Sequence, residues 1–318
     1  MSSALLVVAG LAGLLLGANL LVHGGAALAS SLGVRPIVIG LTVVALGTSL
    51  PELAVGIDSV RQGSPGLAVG NIVGASLINI LFILGLSALI RPIAFERRTL
   101  RFDLPALTAA SLVLWLLALD GGLTRVDGMI LCLGGVAYTA GIIWTSLREP
   151  AAVGDASLPE QPAPRRGAAP LLRVLTLFAG IGLVLVGAEL LVDGAIEIAR
   201  SLQVSEATIG LTVIAIGTSA PEQVTTITST LRGDRDIAVG NLLGSSVYNI
   251  AVVLGITVLA APGAVELPRE VIAADLLLLA VVGLITVPVL LSGHRISRLE
   301  GGAFVSAYLA YLAWLTLG

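Results

Sequence analysis

The sequence predicts an all-α polytopic membrane protein with ten transmembrane helices, built as two inverted five-helix repeats. Three observations carry this reading. Of 318 residues, 56% are hydrophobic and only 12% are charged, and the mean hydropathy is +1.03; a soluble domain carries about 25% charged residues. The apolar residues fall into ten continuous stretches, most of them near the ~20 residues a helix needs to cross hydrocarbon. The second half of the chain repeats the first. This composition excludes an ordinary soluble enzyme, a disordered protein and a basic nucleic-acid binder. A single cysteine, Cys132, allows no intramolecular disulfide or cysteine metal site, and two histidines, His23 and His294, make no histidine cage.

The ten stretches run Ala4–Ala29, Pro36–Val60, Gly66–Ile90, Leu104–Leu119, Val126–Ser146, Leu172–Ala199, Ala207–Leu231, Ile237–Ala261, Val271–Leu291 and Gly301–Leu317. They do not alternate, which favours helices over barrel strands. Segment 1 ends in Ala27-Leu28-Ala29, which resembles a signal-peptidase site. No positive charge precedes it and its apolar run is too long for a signal core, so it reads as a retained span. All 17 basic residues are arginine. Sorted by the ten spans, 13 fall on one side, including Arg91, Arg97, Arg98, Arg101, Arg232, Arg235, Arg295 and Arg298, and four on the other (Arg61, Arg125, Arg200, Arg269). The arginine-rich side is expected to be cytoplasmic, with both termini outside a cytoplasmic (inner) membrane.

A shift of 170 residues aligns the halves without a gap. Gly47-Thr48-Ser49-Leu50-Pro51-Glu52 meets Gly217-Thr218-Ser219-Ala220-Pro221-Glu222, Gly70-Asn71 meets Gly240-Asn241, and Asn79-Ile80 meets Asn249-Ile250. Between Ile37–Ile90 and Ala207–Ala260, 25 of 54 positions are identical. Five spans per half is an odd number, so the halves must lie in opposite orientations, an architecture of secondary transporters with their site near the bilayer midplane. The expected division is 1–147 for the first repeat (motif 40–85), 148–170 for a polar cytoplasmic linker and 171–318 for the second repeat (motif 210–255).

Glu52 and Glu222 fall at mid-span, where a charge is expensive and marks function. Thr48, Ser49, Thr218 and Ser219 surround them, and Thr48 shares a helix face with Glu52 as Thr218 does with Glu222. Pro51 and Pro221 lack an N–H and free the carbonyls of Gly47 and Gly217. The following spans add Asn71, Ser76 and Asn79, and opposite them Asn241, Ser245, Ser246 and Asn249. Gly70/Gly74 and Gly240/Gly244 are spaced for close helix approach. Every donor is oxygen, which suits hard cations such as Ca²⁺ and Na⁺ and disfavours Zn²⁺ or Cu⁺. Two carboxylates carry −2, which one Ca²⁺ or two or more Na⁺ would neutralise before the site reorients. Other polar residues read as structural or solvated. Ser76 and Ser246 suit helix packing as well as ligation, Asn71 and Asn241 suit bracing, Asp58 and Asp193 suit span ends, and His23 suits a polar contact near a helix end. The Arg91–Arg101 cluster suits a cytoplasmic anchor touching anionic lipid. Glu189 aligns with Asn19 and has no assigned role.

The paired motifs Gly47–Glu52 and Gly217–Glu222 resemble the α-repeats of the Ca²⁺/cation antiporter superfamily, most closely those of prokaryotic Na⁺/Ca²⁺ exchangers, and the resemblance covers essentially the whole chain. It implies a core of segments 2, 3, 7 and 8, with segments 1 and 6 sliding past it as a gate. It implies Ca²⁺ held by Glu52, Glu222 and the carbonyls of Thr48 and Thr218. For Na⁺ it implies the carbonyls of Ala45 and Ala215, the hydroxyls of Thr48, Ser49, Thr218 and Ser219, and Ser245. Asn79 and Asn249 take the central positions, where some relatives carry one aspartate. The expected function is electrogenic Ca²⁺ extrusion in exchange for Na⁺, with H⁺/Ca²⁺ or K⁺-dependent exchange, or a cation channel, as alternatives. Ca²⁺ and Na⁺ are cargo. No organic cofactor, nucleic acid or obligate protein partner is expected, membrane lipid is, and no nucleotide-binding loop or nucleophile–base pair suggests an enzyme. Ala75 stands where the first repeat of the family often has a serine. Ala75→Ser is therefore expected to shift apparent Na⁺ affinity more than Ca²⁺ affinity in transport assays; equal shifts would contradict this.

Overall fold

The computed structural model describes residues 3–95, 97–148, 170–203, 215–267, 269, 271–293 and 295–317. The expected linker, at 149–169, and residues 207–214 of segment 7 lie outside the described residues. The helices are α1 (Ser3–Leu32), α2 (Pro36–Arg61), α3 (Gly66–Ile90), α4 (Asp103–Leu117), α5 (Arg125–Arg148), α6 (Pro170–Ser201), α7 (Ala215–Thr218 and Ala220–Arg232), α8 (Arg235–Ala260), α9 (Val271–Leu276 and Leu277–Gly293) and α10 (Arg298–Leu317). Among the described residues, seven helices are long and apolar enough to cross a membrane, and Val271–Thr286 in α9 is a shorter apolar helix. The fold is the expected bundle of inverted repeats.

Four two-residue strands join loops that are far apart in sequence. β1 (Ile93–Ala94) pairs antiparallel with β4 (Arg295–Ile296), and β2 (Gly122–Leu123) with β3 (Val265–Glu266). The first clasp joins the loop after α3 to the loop after α9; the second joins the loop after α4 to the loop after α8. Loops that share a clasp lie on one face. An even number of crossings separates the two loops of each clasp, as ten alternating spans require.

α2, α3, α7 and α8 form the centre, and α3 and α8 are the most deeply buried spans. α4, α5, α9 and α10 pack around them, while Leu133, Val136, Leu284 and Leu309 point outward as a lipid-facing surface would. Gly240 and Gly244 lie against α2: a Cβ would sit 2.8 Å from the Ile37 carbonyl oxygen and from the Leu41 carbonyl oxygen, respectively. The residues related by the repeat to that stretch of α2 lie outside the described residues, so no such contact is described for Gly70 and Gly74.

α1 and α6 run antiparallel on one flank and touch backbone to backbone. Gly10, Gly17 and Gly24 recur every seven residues, as do Gly180, Gly187 and Gly194 in the other half. A Cβ at Gly10 would meet the Leu191 nitrogen at 2.5 Å, at Gly17 the Val184 nitrogen at 2.6 Å, and at Gly187 the Leu14 nitrogen at 2.6 Å. Without side chains in the way, dispersion contact runs along the whole seam. Gly187→Val is expected to cost roughly 1–3 kcal/mol or more, because backbone cannot step aside as a flexible side chain can. It should lower the melting temperature in detergent. Gly182→Ala, with nothing within 4 Å of its new Cβ, should not.

Candidate cation site

Each motif breaks its helix at the serine. Ser49 (φ −83°, ψ 5°) ends the half-helix Ala45–Thr48, and Ser219 (φ −86°, ψ 4°) ends Ala215–Thr218. Proline in the first turn fits the restart of each helix, because its missing N–H has no partner there. The breaks have two electrostatic consequences. Glu52 and Glu222 stand in the first turn of the new half-helices, where the positive end of the dipole favours a carboxylate. The carbonyls closing the preceding half-helices bring partial negative charge to the same level, a backbone arrangement that can hold a cation.

Glu52 and Glu222 are both fully buried. The serines cross over: the Ser49 hydroxyl donates to Glu222 Oε1 and the Ser219 hydroxyl to Glu52 Oε1, both at 3.4 Å. Each carboxylate thus reaches the serine before the other, and the two motifs meet around a shared centre. The threonines cross to the long helices. The Thr48 hydroxyl lies 3.2 Å from Asn241 Oδ1, 3.3 Å from the Ala45 carbonyl and 3.3 Å from Ser245 Oγ, and the Thr218 hydroxyl lies 3.3 Å from Asn71 Oδ1. Ser245 also reaches the Ala45 carbonyl at 3.4 Å. Asn241 Nδ2 braces α8 against α7 through Thr226 Oγ1 at 3.0 Å and the Glu222 carbonyl at 3.4 Å.

These contacts are long. Hydroxyl donors to a carboxylate ordinarily close to about 2.5–2.7 Å. The ring is slack, and its oxygen lone pairs can turn to a cation at little cost. Glu52 Oε2, Glu222 Oε2 and both side-chain polar atoms of Asn79 and of Asn249 make no hydrogen bond among the described residues. They are buried polar atoms whose desolvation no described residue offsets by a hydrogen bond. Both asparagines stand in π-helical turns, Ile78–Ile83 and Asn249–Val253, a distortion common at functional sites. Nothing in the sequence marks these turns beyond the asparagines themselves.

Thr48, Ser245, Asn241 and the Ala45 carbonyl therefore form one hydrogen-bonded group, while Ser49 reaches Glu222, Ser219 reaches Glu52 and Thr218 reaches Asn71. Ala215 opens the half-helix matched to that of Ala45, and its side chain lies outside the description. Ser76 and Ser246 donate instead to the carbonyls of Ile72 and Leu242 on their own helices, at 2.9 and 2.8 Å. Ala75 is buried where Ser245 stands in the other half. His23 lies well inside α1 rather than near its end, and with Asn19 it contacts Arg232 at the end of α7. Among the described residues no three His, Cys, Asp or Glu side chains converge, so the charge of the cluster comes from one glutamate pair among neutral oxygens. That set fits a hard cation and offers a soft one nothing.

The chain is 39% identical to the inner membrane protein YrbG of Escherichia coli, over 84% of this chain and 82% of that one. It is 34% identical to the putative antiporter CaxA of Alkalimonas amylolytica, over 96% of each. Its structure superposes on the sodium-calcium exchanger NCX_Mj with a TM-score of 0.84 and 29% sequence identity, covering 98% of both chains. A family profile described as sodium/calcium exchanger protein matches residues 2–144 and 172–317. By fold, motif and sequence, the chain belongs to the sodium/calcium exchanger family.

Proposed function

We propose that this chain is a secondary active antiporter that exchanges Na⁺ for Ca²⁺ across a cytoplasmic membrane, working by alternating access and extruding Ca²⁺ electrogenically. The observation that carries the proposal is the crossed pair of buried glutamates. A −2 pair sunk in a membrane protein is costly unless neutralised. One Ca²⁺ cancels it; Na⁺ ions do so in twos or more. The loaded forms reorient more readily than the bare pair, and this ties entry of one ion to exit of the other.

In this reading Ca²⁺ is bound by Glu52 and Glu222 with the carbonyls of Thr48 and Thr218. Na⁺ is bound by the carbonyls of Ala45 and Ala215 and the hydroxyls of Thr48, Ser49, Thr218, Ser219 and Ser245. Asn79 and Asn249 complete the centre from the π-turns. The hydroxyl density supports Na⁺ over H⁺ as the coupling ion, because a proton needs only a carboxylate oxygen. The sodium-calcium exchanger named among the similar structures supports the same pair of ions. The inner-membrane relative supports the location, and the arginine asymmetry supports termini outside.

The test is Ca²⁺ uptake into proteoliposomes driven by an outward Na⁺ gradient at equal pH on both sides. Uptake is expected with Na⁺, and flux driven only by a pH gradient would overturn Na⁺ coupling. Glu52→Gln and Glu222→Gln should each reduce exchange at least about tenfold, since each leaves the other carboxylate buried with half the ligand charge. Normal exchange in either variant would overturn the site. Ser49→Ala removes one long contact and should act more mildly, with a rise in apparent KM of a few-fold, on the scale of roughly one hydrogen bond.

A further inference from the structure

The repeat makes the two glutamates equivalent, but the paths leading away from them differ. Beyond Glu222, α7 carries Thr225, Thr226, Ser229 and Thr230, all buried. At the matched positions beyond Glu52, α2 carries Val55, Gly56, Ser59 and Val60. Steps of three and four residues keep Thr225, Thr226 and Ser229 on the side of α7 that carries Glu222. The contrast extends to the neighbouring helices. A Cβ at Gly56 would lie 2.5 Å from Thr257 Oγ1 of α8; in the other half, Thr226 replaces Gly56 and Ser87 of α3 replaces Thr257.

Two of these hydroxyls sit where an apolar group would be cheaper. Thr225 Oγ1 and Ser87 Oγ are fully buried and make no hydrogen bond among the described residues, a desolvation cost that valine and alanine would avoid. Ser229 and Thr230 donate to the carbonyls of Thr225 and Thr226 on their own helix, which leaves their oxygen lone pairs available as acceptors.

The cover over the two sides differs as well. α1 lies along α7, with Leu14 and Ala18 against Ala220 and with Asn19 and His23 bonded to Arg232. Among the described residues α6 has no matching packing along Leu50–Arg61. Leu50 and Ala54 are exposed, where the matched Ala220 and Val224 pack against α1. Gly56, Ser59 and Val60 are buried too, but only the path beyond Glu222, which leads to Arg232 and Arg235 on the arginine-rich face, is covered by α1.

Building on the exchange reading above, we infer that Thr225, Thr226, Ser229, Thr230 and Ser87 line the cytoplasmic ion path, a stripe of neutral oxygens that replaces hydration water around Ca²⁺ or Na⁺ when α1 moves off α7. The unpartnered hydroxyls then have their partners in the open form. The opposite mouth, lined by Val55, Gly56 and Val60, offers fewer such oxygens, Ser59 of α2 and Thr257 of α8, so the two faces handle the same ion differently.

The experiment measures the apparent Ca²⁺ KM separately at each face, in right-side-out and inside-out membrane vesicles, using whichever ion gradient drives the wild type. Thr225→Val with Ser229→Ala is expected to raise the KM at the cytoplasmic face about fivefold, the size of losing roughly one hydrogen-bond-scale interaction, and to leave the other face unchanged. Thr225→Ser, which keeps the oxygen, should behave as wild type, and Ser59→Ala should leave the cytoplasmic KM unchanged. Because Thr225→Val removes an unsatisfied hydroxyl, it should hold or raise thermal stability, so a folding defect is seen separately. An unchanged cytoplasmic KM, or equal rises at both faces, would overturn the inference. A wild type driven by protons rather than Na⁺ would overturn Na⁺ coupling alone, and the sided comparison would still decide this proposal.

Discussion

Two carboxylates face each other inside a bundle that has almost no other charge in its centre, and the rest of the molecule is organised around that repulsion. Burial withdraws the water that would screen the pair, and symmetry guarantees that relief offered to one is offered to the other. Helix breaks at Ser49 and Ser219 turn dipole ends toward the pair. Serine hydroxyls cross from each motif to the opposite glutamate, and threonines reach across to asparagines on the long helices. None of these groups carries a positive charge. An arginine or lysine there would satisfy the pair permanently and leave no place for a mobile cation. Partial neutralisation by dipoles alone leaves the pair short of charge compensation, as the proposed cation site requires.

Much of this was legible in the sequence because the controlling features are local or periodic. Continuous apolar runs gave the spans, and the 170-residue repeat with five spans per half gave the inversion. Pro51 and Pro221 pointed to interrupted backbone beside the glutamates. What escaped notice depends on tertiary placement. The crossing of Ser49 to Glu222 rather than to Glu52 follows from how the halves interlock, and no spacing within one motif specifies it. Ser76 and Ser246 stand one residue from useful positions, and their helical register sends them to their own backbone. The π-turns at Asn79 and Asn249 arise inside strongly helical stretches that carry no proline or glycine to announce them. The seven-residue glycine spacing in α1 and α6 was visible, but only the antiparallel pairing gives it meaning.

The clasps between β1 and β4 and between β2 and β3 bind loops across the two repeats on both faces. They tie α3 and α4 to α9 and α10 at one face, and α4 and α5 to α8 and α9 at the other. These helices form a frame with backbone hydrogen bonds at both ends. α1 and α6 share no such clasp among the described residues, and they lie outside that frame.

The glycine seam then has a mechanical meaning. Helices joined along so much of their length without interdigitated side chains resist being pulled apart more than they resist travelling together, so α1 and α6 act as a single bolt thrown across two doors. In the alternating-access cycle proposed above, a stroke that uncovers α7 would carry α6 toward α2. On that proposal, no signal between the two mouths would be needed to avoid a leak, because one rigid pair cannot stand clear of both at once.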